Sequence, residues 1–207
     1  MAGLTAVLVA ADASADEQPV FRSSVARIGP VMAARMTSWH RGCPVAISDL
    51  RLVTVSYWGF DRRIHQGRLV VARGSARAVV RGLHAVFTAR FPIHRMEPVE
   101  AYRADDDRSM AADNTSVFNC RHVEGSRSWS EHAYGRAIDV NPLENPELLG
   151  RRVLPPAGAR YADRSRRAKG MIHAGDPVVH AFAAVGWRWG GYWRAPKDYQ
   201  HFSSTGR

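Results

Sequence analysis

Residues 52–58, Leu-Val-Thr-Val-Ser-Tyr-Trp, and residues 68–71, Arg-Leu-Val-Val, flank a polar stretch running from Gly59 to Gly67. β-Branched and aromatic side chains pack well on a pleated surface, so this spacing predicts a hairpin or strand pair. Directly afterwards the period changes. Ala78, Val79, Leu83, Val86 and Phe87 recur three and four residues apart, which predicts a helix capped by Ser75 and closed before Pro92. Strands alternating with isolated helices lead to an α+β fold: a single domain with a small antiparallel sheet and flanking helices.

The rest of the chain is punctuated less sharply. Residues 16–41 read as an N-terminal arm or linker, in which Val25, Ile28, Val31 and Met32 suggest one short helix. Residues 93–102 read as a strand leading into an acidic loop that contains Asp105, Asp106 and Asp107. Residues 136–142 read as a short buried strand stopped by Pro142. Between Gly150 and Pro177 lies a long loop carrying Arg160, Arg164, Arg166, Arg167 and Lys169, and loops of that length often serve as lids or binding loops. Asp176 and Pro177 open a helix that Gly186 closes. A last strand is predicted around residues 198–203, so the folded domain spans 42–207.

The 207 residues carry a net charge of +10, and Lys169 and Lys197 are the only lysines among 29 cationic residues. Arginine in such excess either reflects the composition of the genome or attracts a polyanion, whether nucleic acid or an anionic wall or membrane surface. No nucleic-acid-binding module and no aromatics interleaved with a basic stripe accompany the charge, so no nucleic acid is expected as partner. No apolar run approaches the roughly 18 residues of a membrane span. Residues 1–15 resemble the back half of a secretory signal peptide, with Ala13-Ser14-Ala15 as its cleavage site but without a basic start. In an exported chain Cys43 and Cys120 form one disulfide; in a reducing compartment they are two buried thiols.

Two cysteines are too few for a four-thiolate zinc site, so any metal here is held by imidazole and carboxylate. His132 and Asp139 are seven residues apart, a separation of over ~20 Å if fully extended, and they meet only if the chain turns back between them. Gly135 permits that turn. A third ligand has to come from elsewhere, and residues 198–202, Asp-Tyr-Gln-His-Phe, offer both an imidazole and a second carboxylate. On a continuous strand Asp198 and His201 point to opposite faces, so a bend before His201 is needed to turn both into one cleft.

The string Ser130-x-His132-x-x-Gly135-x-Ala137-x-Asp139, together with Asp198-x-x-His201, resembles the zinc peptidoglycan peptidases. These comprise VanY-like D-alanyl-D-alanine carboxypeptidases and phage-type L-alanyl-D-glutamate endopeptidases, which share a fold with the zinc domain of hedgehog proteins. Further matching pieces extend from about Gly42 to Phe202: Cys43-Pro44 before Asp49, Ala101-Tyr102-Arg103, the run from Asn114 to Arg121, Asn141-Pro142, and Gly186-Trp187-x-Trp189-Gly190-Gly191. The resemblance implies Zn2+ bound by His132, Asp139 and His201, with Asp198 as the catalytic base. It implies Arg103 as the group that holds a substrate carboxylate or the developing oxyanion, and Ser130 as a residue steadying the site or substrate by hydrogen bonding. The substrate class it implies is the peptidoglycan stem peptide in an anionic cell wall, cut by a secreted or wall-associated monomer. D-alanyl-D-alanine carboxypeptidase action leads, ahead of L-alanyl-D-glutamate endopeptidase action or a non-catalytic wall-binding module. The chain departs from its relatives at Ser203, where an acidic residue is common, and in the Arg-rich loop.

Overall fold

The computed structural model describes residues 19–207; the signal-peptide reading of residues 1–15 lies outside them. A three-stranded antiparallel sheet runs β1 (Ser23–Arg27), β2 (Leu50–Trp58) and β3 (Ile64–Ala72), with β2 in the middle. α1 (Pro30–Arg35) follows β1 and begins on Pro30, whose fixed φ and missing N–H suit a first helical turn. Where one short helix was expected, the chain therefore forms a strand and then a helix. Every residue of β1 is exposed, so no apolar pattern announces it, and what makes it a strand is the row of backbone groups on β2 that it pairs with.

Alternation along the hairpin divides the interior into two parts. Val53, Val55, Leu69 and Val71 face α2 (Ala76–Thr88), whose Val79, Leu83 and Val86 meet them, and Phe182 of α4 (Pro177–Ala183) completes this larger core. Burying each of these side chains contributes about 1.5 to 3 kcal/mol. Leu50, Leu52 and Val70 point the other way into a smaller cluster with Met36 and Phe118. There Cys43 and Cys120 are joined as a disulfide, with Cα atoms 5.9 Å apart across a separation of 77 residues. Closing a loop of that length constrains the unfolded chain by about 4 kcal/mol on a chain-entropy estimate. Ser75 stands at the N-cap of α2, but its hydroxyl makes no capping bond.

Beyond α2 the expected strand over residues 93–102 shrinks to β4 (Arg95–Met96), parallel to β5 (Asn114–Thr115). Pro98 lacks an N–H, and residues Val99–Tyr102 wind into a 3-10 turn. The acidic loop is instead the start of α3 (Asp106–Ala111): the Asp105 carboxylate accepts the Arg108 N–H at 2.9 Å, and Asp106 and Asp107 favour the positive end of the helix. Two small antiparallel sheets finish the domain. β6 (Ala137–Asp139) and β9 (Arg188–Trp189) flank β11 (His201–Ser203), while β8 (Arg152–Leu154) and β10 (Lys197–Asp198) flank β7 (Glu147–Leu149). Among the described residues no helix is long and apolar enough to cross a membrane.

Within the long basic loop, Arg164 is anchored inward. Its guanidinium donates to the carbonyls of Glu144 and Ile172 and to Asn145 Oδ1, and stacks 4.2 Å over the ring of Tyr199. Nearby, Asp113 and Glu144 are almost wholly buried. The Asp113 carboxylate accepts the Leu143 N–H at 2.9 Å and pairs with His94 Nδ1 at 2.8 Å, and the Glu144 carboxyl stands in its field. Burial first, and then the charge of Asp113, push Glu144 up to about 8 from an ordinary value of 4.5. The folded chain thus holds this proton more tightly than the unfolded chain. The stabilisation it brings is complete below about pH 4.5 and is lost as pH rises toward 8, at up to ~1.4 kcal/mol per pH unit. Glu144→Gln keeps a donor and removes the titration. Urea unfolding of both proteins at pH 5.5, 7 and 8.5 is expected to give a gap that closes or reverses in favour of the variant as pH rises, and a gap independent of pH would refute the raised Glu144 carboxyl.

Candidate metal centre

His132 sits in a 3-10 turn, Glu131–Tyr134, whose N-cap is Ser130. The Ser130 hydroxyl is buried and accepts the His132 N–H at 3.3 Å, so it fixes the turn that carries the imidazole. Glu131 and Arg136 clamp the same turn with two hydrogen bonds, at 2.6 and 3.1 Å. Gly135 then reverses the chain at φ +63°, where a Cβ would stand 2.6 Å from the backbone nitrogen of Ala72. That close approach allows the Ala72 N–H to donate to the Gly135 carbonyl at 2.9 Å and fastens the turn to the end of β3. β6 follows at once and delivers Asp139 opposite His201 in the β6–β11 register. The bend needed before His201 is present: β10 ends at Asp198 and β11 begins at His201.

Three buried ligand side chains converge. His132 Nε2 lies 3.1 Å from Asp139 Oδ2, His201 Nδ1 lies 3.1 Å from Asp139 Oδ1, and the two ring nitrogens are 3.2 Å apart. Ligands about 2.0 to 2.1 Å from a tetrahedral zinc are separated by roughly 3.3 Å, so the spacing fits that ion. The tautomers fit as well. His132 Nδ1 donates to the Val117 carbonyl at 2.6 Å, and His201 Nε2 donates to the main-chain oxygen of Arg207 at 2.9 Å. With those protons fixed, two lone pairs face each other beside a carboxylate, an arrangement that calls for a cation between them. Burial disfavours charge on both partners, yet Asp139 raises His132 above its ordinary value, and the two imidazoles hold Asp139 below the usual carboxylate range.

Asp198 faces the same ground. Its Oδ1 is buried with no hydrogen-bond partner, while the residue as a whole stays partly exposed. Burial, and then the like charges of Asp139 and Glu147, raise its carboxyl well above the ordinary range. Glu147 lies opposite it in the β7–β10 register and is raised by the same two causes, burial first and then Asp139. Gly190 makes room for this arrangement, since a Cβ there would lie 2.6 Å from the Asp198 carbonyl oxygen.

Two arginines are placed differently with respect to this site. Arg103 caps the turn Val99–Tyr102 at φ 62°, is exposed, and makes no side-chain hydrogen bond or ion pair among the described residues. Arg121 is the guanidinium in the field of the site. Asp106, Asp139 and Asp198 overcome the cost of its burial and raise its pKa further. Its Nη2 pairs with Asp106 Oδ2 at 2.8 Å, Asn119 steadies that carboxylate from the other side at 3.0 Å, and its Nε is buried without a partner. Arg121 closes the run beginning at Asn114 that carries part of the family resemblance, and that position was the only signal in the sequence.

Residues 124–204 match the model of a family described as D-alanyl-D-alanine carboxypeptidase. This part of the chain is similar to that peptidase family. The matched stretch includes Ser130, all three converging ligands and Asp198, and it begins beyond Arg103 and Arg121. No curated protein and no solved structure matches the chain. The donor set fits the zinc expected of such a peptidase: two imidazoles and a carboxylate, with Asp198 placed beside them rather than among them.

Proposed function

We propose that the protein is an exported zinc peptidase that hydrolyses an amide bond of the peptidoglycan stem peptide, releasing the terminal D-alanine as a carboxypeptidase. The observation that carries this reading is the trio His132, Asp139 and His201, spaced for zinc with both outer ring nitrogens capped, beside a carboxylate whose buried oxygen lacks a partner. Bound there, zinc supplies a Lewis acid for the scissile carbonyl and lowers the pKa of water at that point. Asp198 takes the proton from the attacking water and returns it to the leaving amine, a task suited to a carboxyl whose affinity for protons is raised. Arg121, fixed by Asp106, presents a guanidinium to the substrate carboxylate or to the oxyanion. A non-catalytic zinc module needs neither of these groups. The disulfide supports an oxidising compartment, and the net charge of +10 suits an anionic wall.

Zinc-loaded protein incubated with the free pentapeptide L-alanyl-D-glutamyl-diamino acid-D-alanyl-D-alanine is expected to release free D-alanine, read by mass. Cleavage between L-alanine and D-glutamate would make it the endopeptidase of the same family, and no cleavage in the presence of stoichiometric zinc would sink the catalytic reading. The two arginines separate cleanly. Arg121→Ala is expected to lower kcat/KM by ~10²-fold or more, as for loss of one oxyanion donor, while Arg103→Ala stays within about twofold of wild type. The reverse order would return the role to Arg103.

A further inference from the structure

Beside the candidate metal centre lies a recess of about 310 Å³ whose floor and walls are aromatic: Trp187, Trp189, Tyr192 and Trp193, with Ala183 of α4 and Arg188 of β9 at its rim. Trp187 and Trp189 are nearly buried, whereas Tyr192 is 61% exposed, the most exposed aromatic side chain among the described large hydrophobics. The indole N–H of Trp189 donates to the Tyr199 carbonyl at 2.8 Å, and that of Trp193 to the Gly206 carbonyl at 2.9 Å. Both rings are thereby locked in place with their donors occupied; Trp189 backs the recess, and the ring surface open to a ligand is that of Trp193 and Tyr192. Gly191 packs directly against the Trp189 indole, where a Cβ would lie 2.4 Å from the ring, and so holds that ring in place behind the recess. No carboxylate lines the recess, and Arg188 is its one cation, so the lining does not suit a cationic ligand.

We propose that this recess is a saccharide subsite that seats an amino-sugar ring of the glycan strand. A pyranose presents a flat face of C–H groups that covers an aromatic ring, and carries its hydroxyl and amide groups at the edge, where the Tyr192 hydroxyl and Arg188 stand. Trp193 links the recess to the chemistry, since its ring centre is 5.3 Å from that of His201 and it also walls the recess. A sugar seated there lies one ring away from a metal ligand. The inference rests on the stem-peptide reading for its choice of polymer: the proposed substrate is a peptide borne on an amino-sugar strand, and the recess adds a hold on the strand to the hold on the peptide.

The test uses the zinc-loaded full chain with three probes: glycan strands stripped of stem peptides, intact peptidoglycan, and the free pentapeptide. Wild type is expected to sediment with the stripped strands and to show a change in tryptophan emission on binding them. Tyr192→Ala removes a stacking face, and Ala183→Phe fills the recess from α4. Each is expected to weaken strand binding by about tenfold and to slow D-alanine release from intact peptidoglycan, while leaving release from the free pentapeptide unchanged. Because both changes are at the rim, the second variant serves if the first fails to fold. Failure of wild type to bind stripped strands, retention of binding by the variants, or binding that requires attached peptides would each overturn the subsite. Absence of any stem-peptide cleavage in every substrate would instead refute the stem-peptide reading, and strand binding would still decide the subsite.

Discussion

Asp198→Asn protein is expected to keep its zinc and its melting temperature while turning over ~10²- to 10⁴-fold more slowly, the range of one general base. The expectation follows from position. His132, Asp139 and His201 already supply three donors at mutual distances of 3.1 to 3.2 Å, which leaves Asp198 outside the ligand set with its Oδ1 unpartnered. Asparagine preserves shape and burial but cannot take a proton. The decisive comparison is zinc content against kcat at fixed pH. Loss of metal together with activity would make Asp198 a ligand, and retention of substantial activity would mean that another group, with Glu147 across the β7–β10 pair the first to examine, receives the proton.

His132→Ala is expected to weaken zinc binding by more than ~100-fold, beyond the 10- to 100-fold that loss of an outer-shell partner costs. Removing it takes away one of three donors and leaves the Val117 carbonyl without its N–H partner. Thermal unfolding gives a second readout. A metal present at about 100 times its dissociation constant stabilises the folded chain by ~2.7 kcal/mol, so zinc should raise the wild-type melting temperature by roughly 5 to 10 °C and that of the variant hardly at all. Asp139→Ala and His201→Ala should behave alike if the three act as one site. Full zinc occupancy in any of the three would break the assignment.

How much of this was legible in the sequence differs from element to element. The β2–β3 hairpin and α2 were readable because backbone geometry imposes periods of 2 and 3.6 on buried side chains, and Val53, Val55, Val79 and Leu83 obey them. The turn at Gly135 was readable for a related reason, since a reversal within seven residues needs a position that tolerates positive φ. β1 and α3 were not readable. The first consists of exposed residues held by a neighbour's backbone, and the second begins in acids that look like loop until Asp105 is seen to cap them.

By itself the sequence determined which residue types were available for chemistry and where the chain had to bend to bring His132, Asp139 and His201 together. Only the tertiary structure decided which nitrogen of each imidazole faces inward, because the Val117 and Arg207 main-chain oxygens that fix the tautomers are placed by the packing of distant segments. It also set the two arginines in different surroundings. Arg103 and Arg121 both stand in segments that resemble the family, but charge acts through distance in space, and it is Arg121 whose guanidinium packing brings close to Asp106, Asp139 and Asp198.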